Sequence, residues 1–126
     1  MCSMSNFDIP IIDSKTLRGK ISKNVIRIVD VRREQEYQAG HICNAVNLPL
    51  AKLLSDDSPE AIQKIAQNLG ISDTTPVVAY DDTFGALSSR VVWALQFIGH
   101  SDVKLLDVTF SQWKDLGFEI STEVLK

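Results

Sequence analysis

The sequence predicts an α/β domain built on a mainly parallel sheet, and three observations carry that reading. Val25-Ile26-Arg27-Ile28-Val29-Asp30-Val31 and Val77-Val78-Ala79-Tyr80 are short, nearly continuous apolar runs rich in β-branched residues, as strands covered on both faces require. Such runs alternate along the chain with segments of helical periodicity, the order that builds parallel sheets through crossover helices. The 126 residues suffice for one core, and no repeat, low-complexity stretch or linker divides them. Residues 1–7 are expected to form a flexible N-terminus and residues 8–126 a single domain.

Each element has its own local reason. Ile9-Pro10-Ile11-Ile12 predicts a short edge strand, because Pro10 has no N–H to give to a ladder. Asp13 or Ser14 caps a helix through Leu17 that ends near Gly19. The run 25–31 is the first central strand. Glu34 to Ala39 forms a short helix closed by Gly40, Ala45 to Leu48 a strand stopped by Pro49, and Leu50 to Leu54 one or two helical turns. Ser58 caps the next helix, with Pro59 at the first helical position, where a missing N–H is harmless. Ile62, Ile65, Ala66 and Leu69 give that helix one apolar face, and Gly70 ends it. Val77 to Tyr80 is the second central strand, and Ser88 or Ser89 opens a long helix after the intervening loop. Val103 to Asp107 is another strand and Phe110 to Leu116 a terminal helix ended by Gly117. Phe118 to Lys126 adds an edge segment.

Composition removes several functions. Hydrophobic residues make up 44% and charged residues 23%, the balance of a globular protein. The net charge of −3 comes without a basic stripe, so no nucleic-acid partner is expected. The apolar runs are far too short to span a bilayer, so no membrane partner is expected either. The opening MCSMSNFDIP lacks the charged-then-apolar order of a signal peptide, which predicts a cytoplasmic protein. Cys2 and Cys43 form neither a disulfide framework nor a zinc pattern, and no metal or cofactor is expected.

In open α/β sheets, ligands and nucleophiles sit where a strand's carboxyl end meets the following helix. The candidate site is therefore the loop Asp81-Asp82-Thr83-Phe84-Gly85-Ala86-Leu87. It has the position of an anion site but holds two carboxylates and no cysteine, histidine, lysine or arginine. Two like charges at ~4 Å repel by ~4 kcal/mol at an effective dielectric of 20. A helix N-terminus returns only ~0.3–1 kcal/mol at an exposed site. Asp81 with Asp82 is read as solvated or capping rather than as a metal site, since the loop offers no third ligand.

These residues also form a pattern. Asp30-Val31-Arg32, Glu36-Tyr37, Gly40-His41-Ile42, Ala45, Asn47 and Pro49, then PVVAYDD…SSRVVWALQFIGH, Val103 to Asp107, Trp113 and Gly117 resemble the rhodanese-like family over roughly residues 8 to 120. The resemblance implies a three-layer α/β sandwich around a parallel five-stranded sheet. It implies a sulfur-containing small ligand such as thiosulfate or 3-mercaptopyruvate, and, in active members, sulfur transfer through a cysteine persulfide. The family's cysteine directly follows the strand matching Val77 to Tyr80, and Asp81 stands there. The match looks most like the non-catalytic N-terminal half of two-domain thiosulfate and 3-mercaptopyruvate sulfurtransferases. Val108-Thr109, in place of two glycines after Asp107, and Asn44, in place of a glycine after the GHI turn, depart from the pattern. A carboxylate cannot store a transferable sulfane sulfur, because the chemistry needs an activated thiolate. The expected function is a binding or regulatory module, or half of a tandem sulfurtransferase. The alternative is an active sulfurtransferase working through Cys43, or through Cys2.

The remaining candidates are weighed by position. Cys43 reads as a small half-buried thiol and Cys2 as an inert terminal residue. His41 reads as a structural hydrogen-bonding residue and His100 as a cap on the helix before it. Asp30, Arg32 and Glu36 are expected to form one polar network beneath the sheet's carboxyl edge. Val91, Ala94, Leu95 and Ile98 form the inner face of the long helix, which leaves Trp93 and Phe97 together on the far side. Two covers are open for that pair. The tail can fold Phe118 and Ile120 over it, or a partner domain or subunit can dock there.

Overall fold

The computed structural model describes residues 10–21 and 26–123. Cys2 and the whole N-terminal segment 1–7, Ile9 of the expected edge strand, the start of the run at Val25 and residues 124–126 of the tail lie outside them. The element order is β1 (Ile11–Ile12), α1 (Ser14–Ile21), β2 (Arg27–Asp30), α2 (Glu34–Ala39), β3 (His41–Ile42), β4 (Ala45–Asn47), α3 (Leu50–Ser55), α4 (Pro59–Asn68), β5 (Val77–Tyr80), α5 (Ser88–Phe97), β6 (Val103–Leu106), α6 (Phe110–Asp115) and β7 (Ile120–Ser121).

Five strands form one parallel sheet in the order β1-β6-β5-β2-β4. β2 and β5 lie in the centre, with Asp30 level with Tyr80. Alternate residues of these strands enter two separate cores, because side chains of a strand point to opposite faces. Val29, Val31, Val77 and Ala79 pack with Leu53, Ile62, Ala66, Val91, Val92, Ala94 and Leu95 from α3, α4 and α5. Ile28, Val78 and Tyr80 pack with Leu17, Tyr37, Phe110 and Trp113 from α1, α2 and α6. Each fully buried aliphatic side chain contributes about 1.5–3 kcal/mol. Helix layers on both faces make the three-layer sandwich expected of the sequence.

Local signals place most helix ends. The Ser58 hydroxyl accepts the Ala61 N–H at 3.2 Å, with Pro59 in the first turn of α4. Thr109 caps α6 by accepting from Gln112 N–H at 3.1 Å, and the Gln112 side chain returns a bond to Thr109 N–H at 2.9 Å. Val108-Thr109 therefore supplies a helix cap where two glycines were expected. Asn44 takes a φ of 70°, so it keeps the left-handed turn a glycine would have made.

Three expectations are corrected. α1 does not stop near Gly19 but runs to Ile21, since Gly19 has no positive φ and its Cβ position is open. The GHI turn contains a strand, β3, and the tail pairs with it antiparallel as β7 instead of extending the main sheet. Phe118 packs edge-on against Trp113 at 4.9 Å, and Ile120 approaches Gly40, so these two residues do not cover Trp93 and Phe97.

Candidate functional site

β5 is buried along its whole length and hands the chain to the loop 81–87 at the sheet's carboxyl edge. Asp81 is 2% exposed. One of its oxygens, Oδ1, accepts the N–H groups of Thr83 at 2.8 Å and Gly85 at 3.1 Å. The other, Oδ2, accepts those of Leu87 at 2.9 Å and Ser88 at 2.7 Å. The Leu87 and Ser88 donors belong to the start of α5, where N–H groups lack partners within the helix and the dipole is positive. Burial pushes the Asp81 carboxyl up, but the N–H groups of Thr83, Ser88 and Gly85 outweigh it and hold it below the usual carboxylate range. The protein's own carboxylate thus fills a backbone cradle suited to an anion.

The loop's shape depends on Gly85. Its φ is 95°, a left-handed conformation that favours glycine, and a Cβ there would meet Leu105 Cδ2 at 2.9 Å, so the leucine side chain would have to shift. Phe84 turns through a φ of 58° and stands 78% exposed at the tip, beside exposed Ala86. Asp82 does not share the cradle. Its carboxylate points to α6, accepting from Ser111 N–H and Ser111 Oγ, each at 2.9 Å. The two adjacent carboxylates are separated by having different donors. Ser88, unmentioned among the sequence candidates, completes the cradle through its N–H, and its buried hydroxyl has no hydrogen-bond partner among the described residues.

The neighbouring strand end carries a second polar group. Asp30 is fully buried and accepts the Tyr80 hydroxyl at 2.5 Å. Arg32 clamps it through Nε at 3.0 Å and Nη2 at 2.6 Å, and Nη2 also donates to Gly40 O at 2.6 Å. Burial would lower the Arg32 pKa, but the hydrogen bond and charge of Asp30 raise it above its ordinary value. Burial, then the Asp30 charge, pushes the Tyr80 phenol well up, so it stays a donor. Tyr80 Oη in turn accepts Ile42 N–H at 3.0 Å, and Asn47 donates to the carbonyls of Asp30 and Arg32, each at 3.0 Å. Glu36 is not in this network, contrary to the expectation from sequence. It sits three residues after Arg33, accepts its N–H at 3.2 Å and caps α2.

The other candidates are placed as follows. His41 is buried, stacks on Tyr37 at 3.8 Å and bonds Tyr37 O through Nδ1 at 2.7 Å. His100 reaches across to Thr75 O at 2.6 Å through Nε2, so its side chain ties α5 to the entry of β5 instead of capping the helix. Cys43 is half-buried next to β3, and burial followed by the Glu119 charge pushes its thiol up. Trp93 and Phe97 stack at 5.2 Å on the outside of α5, 40% and 55% exposed, with the Arg90 guanidinium 4.7 Å from the Trp93 ring. Among the described residues no group of three or more His, Cys, Asp and Glu could hold a metal ion, and no helix is long and apolar enough to cross a membrane.

A parallel five-stranded sheet between two helix layers, with the loop 81–87 turning from a central strand into a helix, defines a three-layer α/β domain. The rhodanese-like domain family matches residues 13–116, and the chain belongs to that family. It is 30% identical over 123 residues to a thiosulfate sulfurtransferase of Rattus norvegicus, covering 83% of this chain and 41% of the relative. It is 33% identical over 103 residues to a 3-mercaptopyruvate sulfurtransferase of Mus musculus, covering 74% and 34%. The crystal structure of a thiosulfate sulfurtransferase from Pseudomonas aeruginosa superposes with a TM-score of 0.73 at 28% identity, covering 92% of this chain and 20% of that one. The chain spans about a third to a half of the length of the curated relatives it matches, 31% of one and 46% of another.

Proposed function

We propose that this is a rhodanese-like domain without a catalytic cysteine of its own, acting as a binding or regulatory module or as half of a tandem sulfurtransferase. The observation that carries the proposal is Asp81, whose two oxygens take up four backbone N–H groups of the loop and α5. Those donors are the groups that would otherwise hold an anionic sulfur donor or stabilise a persulfide. The carboxylate satisfies them and adds a negative charge that opposes thiosulfate. The rival, sulfur transfer through Cys43, asks a thiol whose pKa is raised to act as the nucleophile.

The Trp93–Phe97 stack is the proposed docking face for a partner domain or subunit. Exposed paired aromatics on a helix that already buries its other side want a cover, and Phe118 and Ile120 lie elsewhere. The direct test of the catalytic claim is intact-mass analysis of the reduced chain after incubation with thiosulfate or 3-mercaptopyruvate. The expected spectrum shows no added sulfur atom. A persulfide adduct that disappears in Cys43→Ser would reverse the assignment.

A further inference from the structure

The outer face of α5 has a fixed order of charge and apolar surface. Arg90, Trp93 and Phe97 are spaced three and four residues apart, so they lie in one stripe along the helix. They also form one continuous stack. The Arg90 guanidinium stands 4.7 Å from the Trp93 ring, and Trp93 lies 5.2 Å from Phe97 with the two planes 9° apart. The inner side of the same helix is taken, since Val91, Val92, Ala94 and Leu95 belong to the core. The one charge in the stripe is already answered. Arg90 pairs with Asp57 at 3.3 Å, yet the two side chains remain 32% and 62% exposed.

That order selects an occupant. A strongly acidic or basic partner finds no free charge in the stripe to pair with. The matching partner offers an aromatic face at the Arg90 end and a cation at the Phe97 end. A second α5 offers both when the two helices lie antiparallel about a two-fold axis at Trp93. Arg90 stands three residues before Trp93 and Phe97 four after it, so this arrangement sets each copy's Arg90 against the other copy's Phe97. Every contact then occurs twice, as a two-fold interface requires, and each guanidinium meets a ring face. Arg90 keeps Asp57, so no unpaired charge is buried. A parallel arrangement would instead set Arg90 against Arg90. One helix stripe falls short of the roughly 800 Å² per partner of a stable interface, which makes the association weak and reversible.

We infer that the Trp93–Phe97 face is the contact of a weak, two-fold symmetric homodimer of this chain, α5 against α5. The inference rests on the reading of that face as a docking surface and names its partner. The test is sedimentation equilibrium of the whole chain over a range of concentrations. Wild type is expected to pass from monomer towards dimer as concentration rises. Phe97→Ala, lost twice per dimer, is expected to weaken association about thirtyfold. Arg90→Glu is expected to weaken it about tenfold, as two cation–ring contacts disappear. The register is read by disulfide trapping between Arg90→Cys and Phe97→Cys chains, each also carrying Cys2→Ser and Cys43→Ser. The mixture is expected to cross-link faster than either chain alone. A wild type that stays monomeric up to about 1 mM, a dimer indifferent to both Phe97→Ala and Arg90→Glu, or trapping without preference for the mixture would overturn the inference. A monomeric wild type beside a folded Trp93→Ala overturns the second copy alone, whereas an unfolded Trp93→Ala removes the docking face itself.

Discussion

Two carboxylates stand at the carboxyl ends of neighbouring central strands, and they are satisfied by different kinds of donor. Asp30, at the end of β2, is held mainly by side chains, the Arg32 guanidinium and the Tyr80 hydroxyl, with one backbone donor, Arg32 N–H at 2.9 Å. Asp81, just beyond β5, is held by backbone N–H groups alone in direct bonds. The first arrangement is specific to its partners and fastens β2, β5 and β3 together. The second would accept any anion of suitable shape, and the chain has supplied its own. The difference separates a carboxylate tied to particular side chains from one tied to the main chain of a loop and a helix start.

The largest effect should come from breaking the side-chain network. Asp30→Ala leaves the buried Arg32 charge without its partner, a change that costs about 3–5 kcal/mol. Urea denaturation should show this loss, or no folded state at all. Asp81→Asn should cost less, about 1–2 kcal/mol at neutral pH, because an amide keeps one acceptor but loses the charge-assisted bonds. Its pH dependence distinguishes it. The Asp81 pKa is lowered in the folded state, so its stabilisation is full above the unfolded value of about 3.9 and is lost as pH falls through the folded value. Denaturation curves at neutral pH and near pH 3 should show the gap between wild type and Asp81→Asn closing on acidification. A gap independent of pH would mean that the cradle does not favour the anion.

Asp81→Cys sharpens the comparison further. A thiol in the same cradle should ionise below the ordinary cysteine value of about 8.5, whereas Cys43 lies above its own ordinary value. Alkylation rates against pH, read separately for the two thiols by mass spectrometry, check the order. The smallest effect on folding belongs to Trp93→Ala. Its side chain lies outside both cores, so stability should change by about 0.5–1 kcal/mol or less, while association with a partner or a second copy, followed by sedimentation, should weaken. Unfolding of that variant would assign the aromatic pair to the core.

The two strand ends were also unequally legible in the sequence. Asp30-Val31-Arg32 announces its network, because a carboxylate and an arginine two residues apart at the end of an apolar strand can meet directly. The central strands were legible for the same reason: continuous β-branched runs leave few alternatives. Asp81 could be placed in its loop, but its four donors are main-chain groups that carry no residue-type signal. Glu36 was misassigned although its spacing from Arg33 fits helix capping, and the Thr109-x-x-Gln112 capping signature was available but obscured by the departure from paired glycines. β3 and β7 are two residues each, too short for a period to register.

The measurement that bears most directly on the central claim is thiosulfate:cyanide sulfurtransferase activity of the purified, reduced chain, run beside Cys43→Ser. With Asp81 filling the cradle, the expected result is no turnover above the protein-free reaction for either protein. Turnover in the wild type that disappears in Cys43→Ser would make Cys43 the sulfur carrier and contradict the account of the Asp81 loop.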